Sequence, residues 1–359
     1  MAAGAAGSLF ALSARSSLAQ APAEVILGGG GFVDPATAAR KWVFAAVDLA
    51  SGTVRRTDTP FLPHGIAIHP RERNRLFVFE KIGPGACEID LGSLQVVRPI
   101  PLHEGHAYYG HGAVSADGKL LFSTETRWSD QGGVIAVRDS TSLEYRGEFP
   151  SYGDNPHECR LIDAGRVMVV TNGGGTRDSG HRPSLAYIDV RTRKLLRRLE
   201  LADERFNTGH VAVEGRSAVV VSAPRRGLPN DQLGAISVHA PDAALKTMVQ
   251  PAEVVSRMQG EALSVAIHRA SGVFGVTHPD GNMVTFWTLQ RPRLVKVLEL
   301  PRPRGIALTT DGSRFIVSYG PQTGMVQIPA STLVPDEATR VSDTFLGGSH
   351  IVNWTRERA

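Results

Sequence analysis

The sequence predicts an all-β fold, a β-propeller of seven blades, and three observations lead to this prediction. Seven short apolar runs with a similar pattern recur along the chain at steps of 41 to 53 residues. Turn pairs such as Asp117-Gly118 and Ser271-Gly272 separate short strands of alternating polarity. The strands predicted at the two ends of the chain complement each other. A repeat of about 40–50 residues built from short strands is typical of propeller blades.

Each apolar run is predicted to be the innermost strand of one blade, because three further short strands follow it before the next run. Five runs begin at a histidine and two begin at another residue type. The first residues of the runs are His64, His111, His157, His210, Leu263, Arg304 and His350. With 38 glycines, 22 prolines and only 6% aromatic residues, the composition suits many short strands joined by turns.

The two ends of the chain are predicted to build the last blade together. Three strands are expected at 24–27, 42–49 and 53–58, and they lack an innermost partner. The strand that follows His350 can supply it. The seventh blade would then consist of this C-terminal innermost strand and three N-terminal strands. Such closure removes exposed sheet edges, which otherwise favour aggregation.

Residues 1–23 differ from the rest of the chain. The segment is rich in Ala, Gly, Ser and Leu, has no acidic residue, and contains Ser17-Leu18-Ala19, which fits a cleavage site between small residues. We interpret it as an export signal or a disordered leader, and 24–359 as the propeller. The weak apolar core favours the twin-arginine export route and a periplasmic location, although no Arg-Arg pair precedes it.

The remaining composition argues against a nucleic-acid or membrane partner. The net charge is +4, from 39 basic and 35 acidic residues, and the basic clusters are short. Clusters such as 191–194 are expected on turns or outer strands, where a solvated surface explains them. No apolar run outside the leader is long enough for a transmembrane segment. No nucleic-acid partner is predicted.

The five histidines at the beginnings of innermost strands should converge at one mouth of the central channel. We expect His64, His111, His157, His210 and His350 to form a ring there and to bind a transition metal. Other polar residues should lie nearby and orient or supplement the ring: Glu80, Glu125, His278, Arg304 and Tyr319. Because the channel of seven blades is wide, only two or three histidines are expected on one ion, unless the ring holds a metal cluster or haem.

Three other roles for these histidines remain open. In WD-repeat propellers a Gly-His pair is structural, and Gly110-His111 and Gly209-His210 resemble that pair. The ring could bind an organic ligand or dock a protein partner. It could also serve an oxidoreductase or lyase as acid–base groups, which would require a strongly perturbed histidine.

The segments around the histidines resemble a bacterial family known as domain of unknown function 1513. The resemblance rests on the Ala/Gly-rich leader and on five short segments: Leu62-Pro-His-Gly65, Tyr109-Gly-His-Gly112, Asn155-Pro-His-Glu158, Asn207-Thr-Gly-His210 and Gly348-Ser-His350. It implies a seven-bladed propeller similar to the YVTN and amine-dehydrogenase β-chain types. It also implies twin-arginine export to the periplasm and neighbours linked to iron uptake, namely imelysin-like and dihaem peroxidase-like proteins. No catalytic residues are established for the family.

The leading hypothesis is therefore a periplasmic propeller that binds iron or copper, or a metal cofactor, at a histidine-rich channel mouth. It would serve metal handling or uptake and would not turn over a substrate. Periplasmic iron-uptake or redox proteins are the expected partners. A non-catalytic docking scaffold for such proteins is the first alternative, and an oxidoreductase or lyase is the second. Metal affinity is expected to fall below about pH 6.5, because imidazolium cannot bind a metal.

Overall fold

The computed structural model describes residues 24–175, 181–229 and 231–356, and its strands form seven four-stranded antiparallel sheets. These sheets are the predicted blades. The leader interpretation concerns residues 1–23, which lie outside the described residues. The described part of the chain has one α-helix, α1 (Ala252–Val255), and contains no helix with the length and apolar character that crossing a membrane requires.

The strands follow the chain from the last blade to the first and then around the ring. The N-terminal strands are β1 (Val25–Val33), β2 (Arg40–Asp48) and β3 (Val54–Thr59). Blade 1 contains β4 (Pro63–Ile68), β5 (Arg75–Glu80), β6 (Ala86–Asp90) and β7 (Gln95–Pro99). Blade 2 contains β8 (His106–Val114), β9 (Leu120–Arg127), β10 (Gly132–Asp139) and β11 (Tyr145–Asp154). Blade 3 contains β12 (Pro156–Ile162), β13 (Val167–Asn172), β14 (Ser184–Asp189) and β15 (Leu195–Glu200).

The second half of the ring has the same order. Blade 4 contains β16 (His210–Glu214), β17 (Ser217–Ser222), β18 (Ala235–His239) and β19 (Lys246–Thr247). Blade 5 contains β20 (Val265–His268), β21 (Val273–His278), β22 (Met283–Thr288) and β23 (Leu294–Glu299). Blade 6 contains β24 (Ile306–Leu308), β25 (Arg314–Tyr319), β26 (Gly324–Pro329) and β27 (Asp336–Val341). The last strand, β28 (Ile351–Asn353), pairs with β1.

The hydrophobic core is divided among the interfaces between adjacent blades. Seven clusters of buried apolar side chains occur in the described residues, one at each interface. Between blades 7 and 1, for example, Phe44 packs with Leu76 and Val78. Both faces of a blade are therefore apolar, and each blade is stabilised by its two neighbours. Outer strands such as β7 alternate between exposed and half-buried residues.

The turns between first and second strands have the predicted chemistry. The glycines predicted there adopt left-handed backbone angles, with φ from +57° to +83°: Gly118, Gly165, Gly215, Gly272 and Gly312. Glycine adopts this region without the steric cost of a Cβ atom. The hairpins are therefore tight on this face of the propeller.

The predicted closure of the ring is confirmed. Blade 7 has the order β28-β1-β2-β3, and β28 pairs antiparallel with β1 through Ile351 and Gly28. Asn353 adds a polar contact at this junction. Its side-chain amide donates to Glu24 Oε2 at 2.7 Å and to the carbonyl oxygen of Leu308, in blade 6, at 2.9 Å. One side chain thus links both chain ends to the neighbouring blade.

We predict that Asn353→Ala lowers the free energy of unfolding by about 1–3 kcal/mol, because a buried carbonyl oxygen loses its hydrogen-bond donor. Urea denaturation monitored by circular dichroism measures this loss. Thr332→Ala, at an exposed position of blade 6, is the control and should change stability by less than about 0.5 kcal/mol. Equal stability of the two variants would mean that the Asn353 contact does not stabilise the closed ring.

Candidate metal centre

Five histidine side chains meet on the propeller axis. They come from five consecutive blades, 7, 1, 2, 3 and 4, and each ring centroid lies within 5.5 Å of at least three others. We call His64, His111, His157, His210 and His350 the histidine cluster. The shortest centroid separation is 3.8 Å, between His210 and His350. The imidazole rings are therefore closer together than five side chains arranged around the mouth of an open channel would be.

The cluster is buried. His64, His111, His157 and His210 are 4–8% exposed, and His350 is half-buried. The histidines therefore fill the axis at this level instead of surrounding an open mouth. Two glycines make this close packing possible. A Cβ atom on Gly65 would lie 2.2 Å from the carbonyl oxygen of Gly110, and one on Gly110 would lie 2.8 Å from ring atoms of His157.

Irregular strand pairing directs three of the histidines toward the axis. The register between first and second strands shifts in blades 1, 2 and 3, and each shift includes the histidine of that blade. The shifts lie between Pro63 and Gly65, between Tyr108 and Gly112, and between Pro156 and Cys159. A β-bulge changes the direction in which side chains point. The shifts thus coincide with three of the five histidines, whereas His210 lies in regular pairing with Val221.

Threonines on the second strands hold the innermost strands of adjacent blades together. Thr124 Oγ1 accepts from the backbone N–H of His111 and lies 3.1 Å from the carbonyl oxygen of His157 in the next blade. Thr171 similarly donates to the carbonyl oxygen of Gly209, in blade 4, at 2.6 Å. The backbone that positions the histidines is therefore tied from blade to blade by buried hydroxyl groups.

Three imidazole nitrogens form a small triangle at the centre of the cluster. The Nε2 atom of His157 lies 3.1 Å from Nε2 of His64 and 2.8 Å from Nε2 of His210, and the third side, from His210 to His64, is 3.4 Å. A metal–nitrogen bond is about 2.0–2.1 Å long. The circle through the three atoms has a radius below that length, so one ion above the triangle can contact all three nitrogens.

Backbone carbonyl groups fix the tautomers of two of these rings. Nδ1 of His157 lies 2.9 Å from the carbonyl oxygen of Tyr109, and Nδ1 of His210 lies 2.6 Å from that of Leu263. A carbonyl oxygen can only accept, so both Nδ1 atoms bear the hydrogen. In the neutral rings both Nε2 atoms then present lone pairs to each other across 2.8 Å. Two acceptors at that distance repel unless a cation lies beside them.

The other two histidines add further nitrogens without a partner. The Nε2 atoms of His111 and His350 are buried and have no hydrogen-bond partner in the described residues. Buried polar atoms rarely lack a partner in native proteins. One ring nitrogen from each of His64, His111, His210 and His350 also lies within 4.8 Å of the others. The cluster could therefore hold a metal ion, and the donor atoms present fit one.

Burial disfavours protonation of the cluster. It is the largest cause that lowers the pKa of all five imidazoles, and it lowers the pKa of His157 to about 3. Repulsion between neighbouring rings lowers the pKa of His64, His111 and His210 further, and the charges of Lys81 and Arg160 act on His350 in the same direction. The rings thus stay neutral well below pH 6.5, so metal affinity is expected to persist to lower pH than the sequence suggested.

A central cavity adjoins the cluster. It has a volume of about 500 Å³ and is lined by the innermost strands of the blades. His111, His210 and His350 lie on its inner wall, together with Glu158 and Arg160. A small molecule in this cavity would therefore contact His210, which belongs to the Nε2 triangle, together with His111 and His350.

The chain matches the family described as "Protein of unknown function (DUF1513)" over residues 57–346. The protein belongs to this DUF1513 family. No curated protein matches the DUF1513 chain in sequence.

Several solved structures share the fold of the DUF1513 protein at low sequence identity. A hydrazine synthase from Kuenenia stuttgartiensis is similar with a TM-score of 0.64 and 13% identity, over 82% of this chain and 93% of that chain. A hypothetical selenium-binding protein from Sulfolobus tokodaii is similar with a TM-score of 0.64 and 13% identity, over 93% of this chain and 92% of that chain. The dihydro-heme d1 dehydrogenase NirN, in complex with DHE, is similar with a TM-score of 0.60 and 13% identity, over 93% of this chain and 69% of that chain. At this identity the likeness concerns the fold alone.

The two carboxylates expected beside the histidines bind other groups. Glu80 accepts from the backbone N–H of Gly85 at 3.0 Å. Glu125 accepts from His106 Nδ1 at 2.8 Å and from Arg138 at 2.6 Å, in a buried polar network within blade 2. Adjacent residues of a strand point to opposite faces of the sheet, and in β9 it is Thr124 that contacts the histidine strands.

The remaining three residues expected near the cluster differ in their positions. His278 is buried and contacts Thr285 Oγ1 at 2.9 Å, and the hydroxyl of Tyr319 accepts from Arg340. Arg304 donates to the carbonyl oxygen of Gly348 at 3.2 Å, and its charge contributes to the lowered pKa of His350. Of the five residues expected around the ring, Arg304 is the one with an electrostatic effect on the histidines.

Sequence reasoning missed several groups at the site. The backbone carbonyl groups of Tyr109 and Leu263 determine the tautomers of His157 and His210, but the position of a carbonyl group cannot be predicted from residue types. Glu158 and Arg160 line the cavity, and their side chains are paired at 2.7 Å. The alternation of charges directly after His157, in a strand of period two, was the available signal.

We predict that the metal-free protein loses stability as the pH falls from about 6.5 toward 3. Because folding lowers the histidine pKa values, the unfolded chain binds more protons in this range, so the free energy of unfolding rises with pH. Each extra proton bound on unfolding contributes a slope of about 1.4 kcal/mol per pH unit. Urea denaturation at several pH values between 4 and 8, in the presence of a chelator, measures the slope.

The control for this experiment is His103→Gln, which changes an exposed histidine outside the cluster and should leave the slope unchanged. His157→Gln should reduce the slope, because it removes one of the low-pKa groups. Stability that is independent of pH between 4 and 6.5 in the wild-type protein would contradict the neutral, buried state of the cluster.

Proposed function

We propose that this protein binds one transition-metal ion, copper or iron, through imidazole nitrogens of the histidine cluster. The single observation that supports this most strongly is the 2.8 Å contact between the Nε2 atoms of His157 and His210. Both atoms bear lone pairs, because both Nδ1 atoms donate to carbonyl groups. A cation bound at this point converts a repulsive contact into two metal–ligand bonds.

A metal ion suits this position better than a proton. Burial disfavours imidazolium at every ring of the cluster. A metal ion gains several bonds at once, whereas one proton satisfies a single pair of nitrogens. Backbone hydrogen bonds to the outer nitrogens are also the usual way in which proteins orient metal-binding histidines. The carbonyl groups of Tyr109 and Leu263 supply these bonds.

The donor set favours copper and iron over magnesium, calcium and manganese. Every candidate ligand is a neutral imidazole, and imidazole suits zinc, copper, iron and nickel, whereas the hard ions prefer oxygen ligands. Affinity for a given nitrogen site generally increases from iron to copper along the divalent series. Copper is therefore expected to bind most tightly when several metal ions compete for the site. Iron is the second candidate, because the family that the sequence resembles is often encoded beside proteins linked to iron uptake.

The wider role that we propose is metal handling or uptake in the periplasm, with exported redox or iron-uptake proteins as partners. The leader at residues 1–23 supports export, and its residues lie outside the described part of the chain. Among proteins of similar fold, one is named as selenium-binding and another is in complex with DHE, so the propeller is compatible with such ligands. The docking alternative has less support, since buried histidines offer little surface to a partner.

We predict that the metal-free protein takes up one equivalent of Cu(II), or of Fe(II) under anaerobic conditions, at neutral pH. Elemental analysis after desalting gives the stoichiometry. Because the ion binds the folded state, it should also stabilise the protein, by about 2.7 kcal/mol at a free-metal concentration of 100 Kd. Thermal unfolding with and without metal measures this effect.

Variants within and outside the cluster distinguish specific binding from surface binding. His157→Asn and His210→Asn should each weaken metal binding at least tenfold and reduce the thermal stabilisation by at least about 1.3 kcal/mol at the same metal concentration. His103→Asn, at an exposed position, should change neither. A wild-type protein that retains less than a tenth of an equivalent of every metal offered, or cluster variants that bind as well as the wild type, would contradict the proposed function.

A further inference from the structure

The donor atoms of the histidine cluster carry no negative charge. The ring nitrogens that lie within 4.8 Å of one another come from histidines alone. Glu158, which follows His157 in the chain, has other partners, since it accepts from Arg160 Nε at 2.7 Å and from the backbone N–H of Val211 at 2.6 Å. The ion pairs between histidines and carboxylates in the described residues involve other histidines: His69, His106 and His181. An ion in the cluster therefore keeps its full charge.

Burial of the cluster makes that charge costly. Four of the five histidines are only 4–8% exposed, so an ion between them exchanges its hydration shell for uncharged ligands. The energy of moving an ion from water into the protein rises with the square of its charge, so a divalent ion loses about four times as much as a monovalent ion of equal size. Neutral imidazoles recover less of this loss than carboxylates would. Burial thus favours an ion of low charge.

Two neighbouring cations act in the same direction. Burial is the largest cause of the lowered histidine pKa values, and the charge of the exposed Lys81 contributes to the lowered pKa of four rings: His64, His111, His157 and His350. Arg304 contributes to the lowered pKa of His350 as well. A positive charge that disfavours imidazolium also repels a metal ion in the cluster. This repulsion is about twice as strong for a divalent ion as for a monovalent one.

The shape of the Nε2 triangle adds an independent preference. In a square-planar site, two opposite nitrogens lie about 4 Å apart, twice the metal–nitrogen bond length. The sides of the triangle are 2.8, 3.1 and 3.4 Å, so no two of its nitrogens lie opposite each other across an ion. The three nitrogens lie on one side of the ion, as in a tetrahedral or trigonal-pyramidal site. Cu(II) prefers square-planar or tetragonal ligands, whereas closed-shell Cu(I) has no such preference.

The scaffold prevents the triangle from rearranging into a square. His157 and His210 each donate from Nδ1 to a backbone carbonyl group, at 2.9 and 2.6 Å. A rotation that brought their Nε2 atoms to opposite sides of an ion would break these hydrogen bonds inside the protein, where no water replaces them.

We infer that the histidine cluster selects copper in its monovalent state, Cu(I), over Cu(II) and over other divalent ions. This inference rests on the proposed function, because it specifies the charge and oxidation state of the ion that the same nitrogens bind. Charge and geometry support it separately. Zn(II) separates the two causes, since it shares the closed electron shell of Cu(I) but is divalent.

The test compares dissociation constants on the full-length, metal-free protein under anaerobic conditions. Cu(I) is supplied as its acetonitrile complex and competes with bicinchoninate, whereas Cu(II) and Zn(II) compete with nitrilotriacetate. Ag(I), a monovalent closed-shell ion that does not change its oxidation state under these conditions, serves as a second probe. We expect one Cu(I) per chain, bound at least about 100-fold more tightly than Cu(II) or Zn(II), and one Ag(I) that Cu(I) displaces.

Two pairs of variants test the role of charge through the ratio of the Cu(II) Kd to the Cu(I) Kd. His350→Glu places a carboxylate in the cluster and should lower this ratio at least about tenfold, whereas His103→Glu, at an exposed position, should not change it. Lys81→Glu changes a surface residue and should lower the ratio about threefold. Its control is Lys119→Glu, which is exposed on a turn of blade 2 and should have no effect. The Lys81 pair decides the question if His350→Glu does not fold.

The possible failures are distinguishable. If the wild-type protein binds neither copper ion nor iron, the proposed function is wrong. If Cu(II) or Zn(II) binds as tightly as Cu(I), the metal site stands and the selection of a monovalent ion is wrong. A ratio that Lys81→Glu leaves equal to that of Lys119→Glu would overturn the electrostatic cause of the selection.

Discussion

The candidate site depends on two hydrogen bonds from imidazole Nδ1 atoms to backbone carbonyl groups. Because Tyr109 and Leu263 present carbonyl oxygens to His157 and His210, the hydrogen of each ring lies on the outer nitrogen and the lone pair points inward. Without this constraint, the 2.8 Å contact between the rings would be an ordinary hydrogen bond between a donor and an acceptor. With it, two lone pairs face each other at the centre of the cluster, an arrangement that a bound cation would stabilise. A backbone interaction thus determines the chemistry that the side chains can perform.

The propeller supplies the rigidity that such a contact needs. Repelling lone pairs would separate on a flexible scaffold, but here each histidine strand is packed between two apolar blade interfaces. Buried threonine hydroxyls tie adjacent innermost strands, as Thr124 and Thr171 do. Closure of the ring by β28 and β1 prevents the blades from spreading. The packing of the propeller therefore keeps the imidazole nitrogens of the cluster close together despite their mutual repulsion.

The sequence was sufficient for the fold and for the meeting of the histidines, because both follow from a repeat of short strands around an axis. The sequence was insufficient for the side-chain directions, hydrogen-bond partners and burial that determine the chemistry of the site. The bulges at His64, His111 and His157 change side-chain directions without a specific sequence pattern. Glu125 was expected beside the ring, but it pairs with His106 and Arg138 instead, since the direction of a strand residue changes with every step. Burial of the cluster follows from close backbone contacts, which depend on tertiary packing.

Nitrogen-15 NMR of the imidazole rings in the metal-free protein tests the central claim most directly, because it reports the tautomer of each histidine. The account predicts that His157 and His210 are neutral at pH 7, with the hydrogen on Nδ1 and a bare Nε2. Assignment of the two rings uses the single variants His157→Asn and His210→Asn. An Nε2-protonated tautomer for both rings, or imidazolium at either ring at pH 7, would contradict the account.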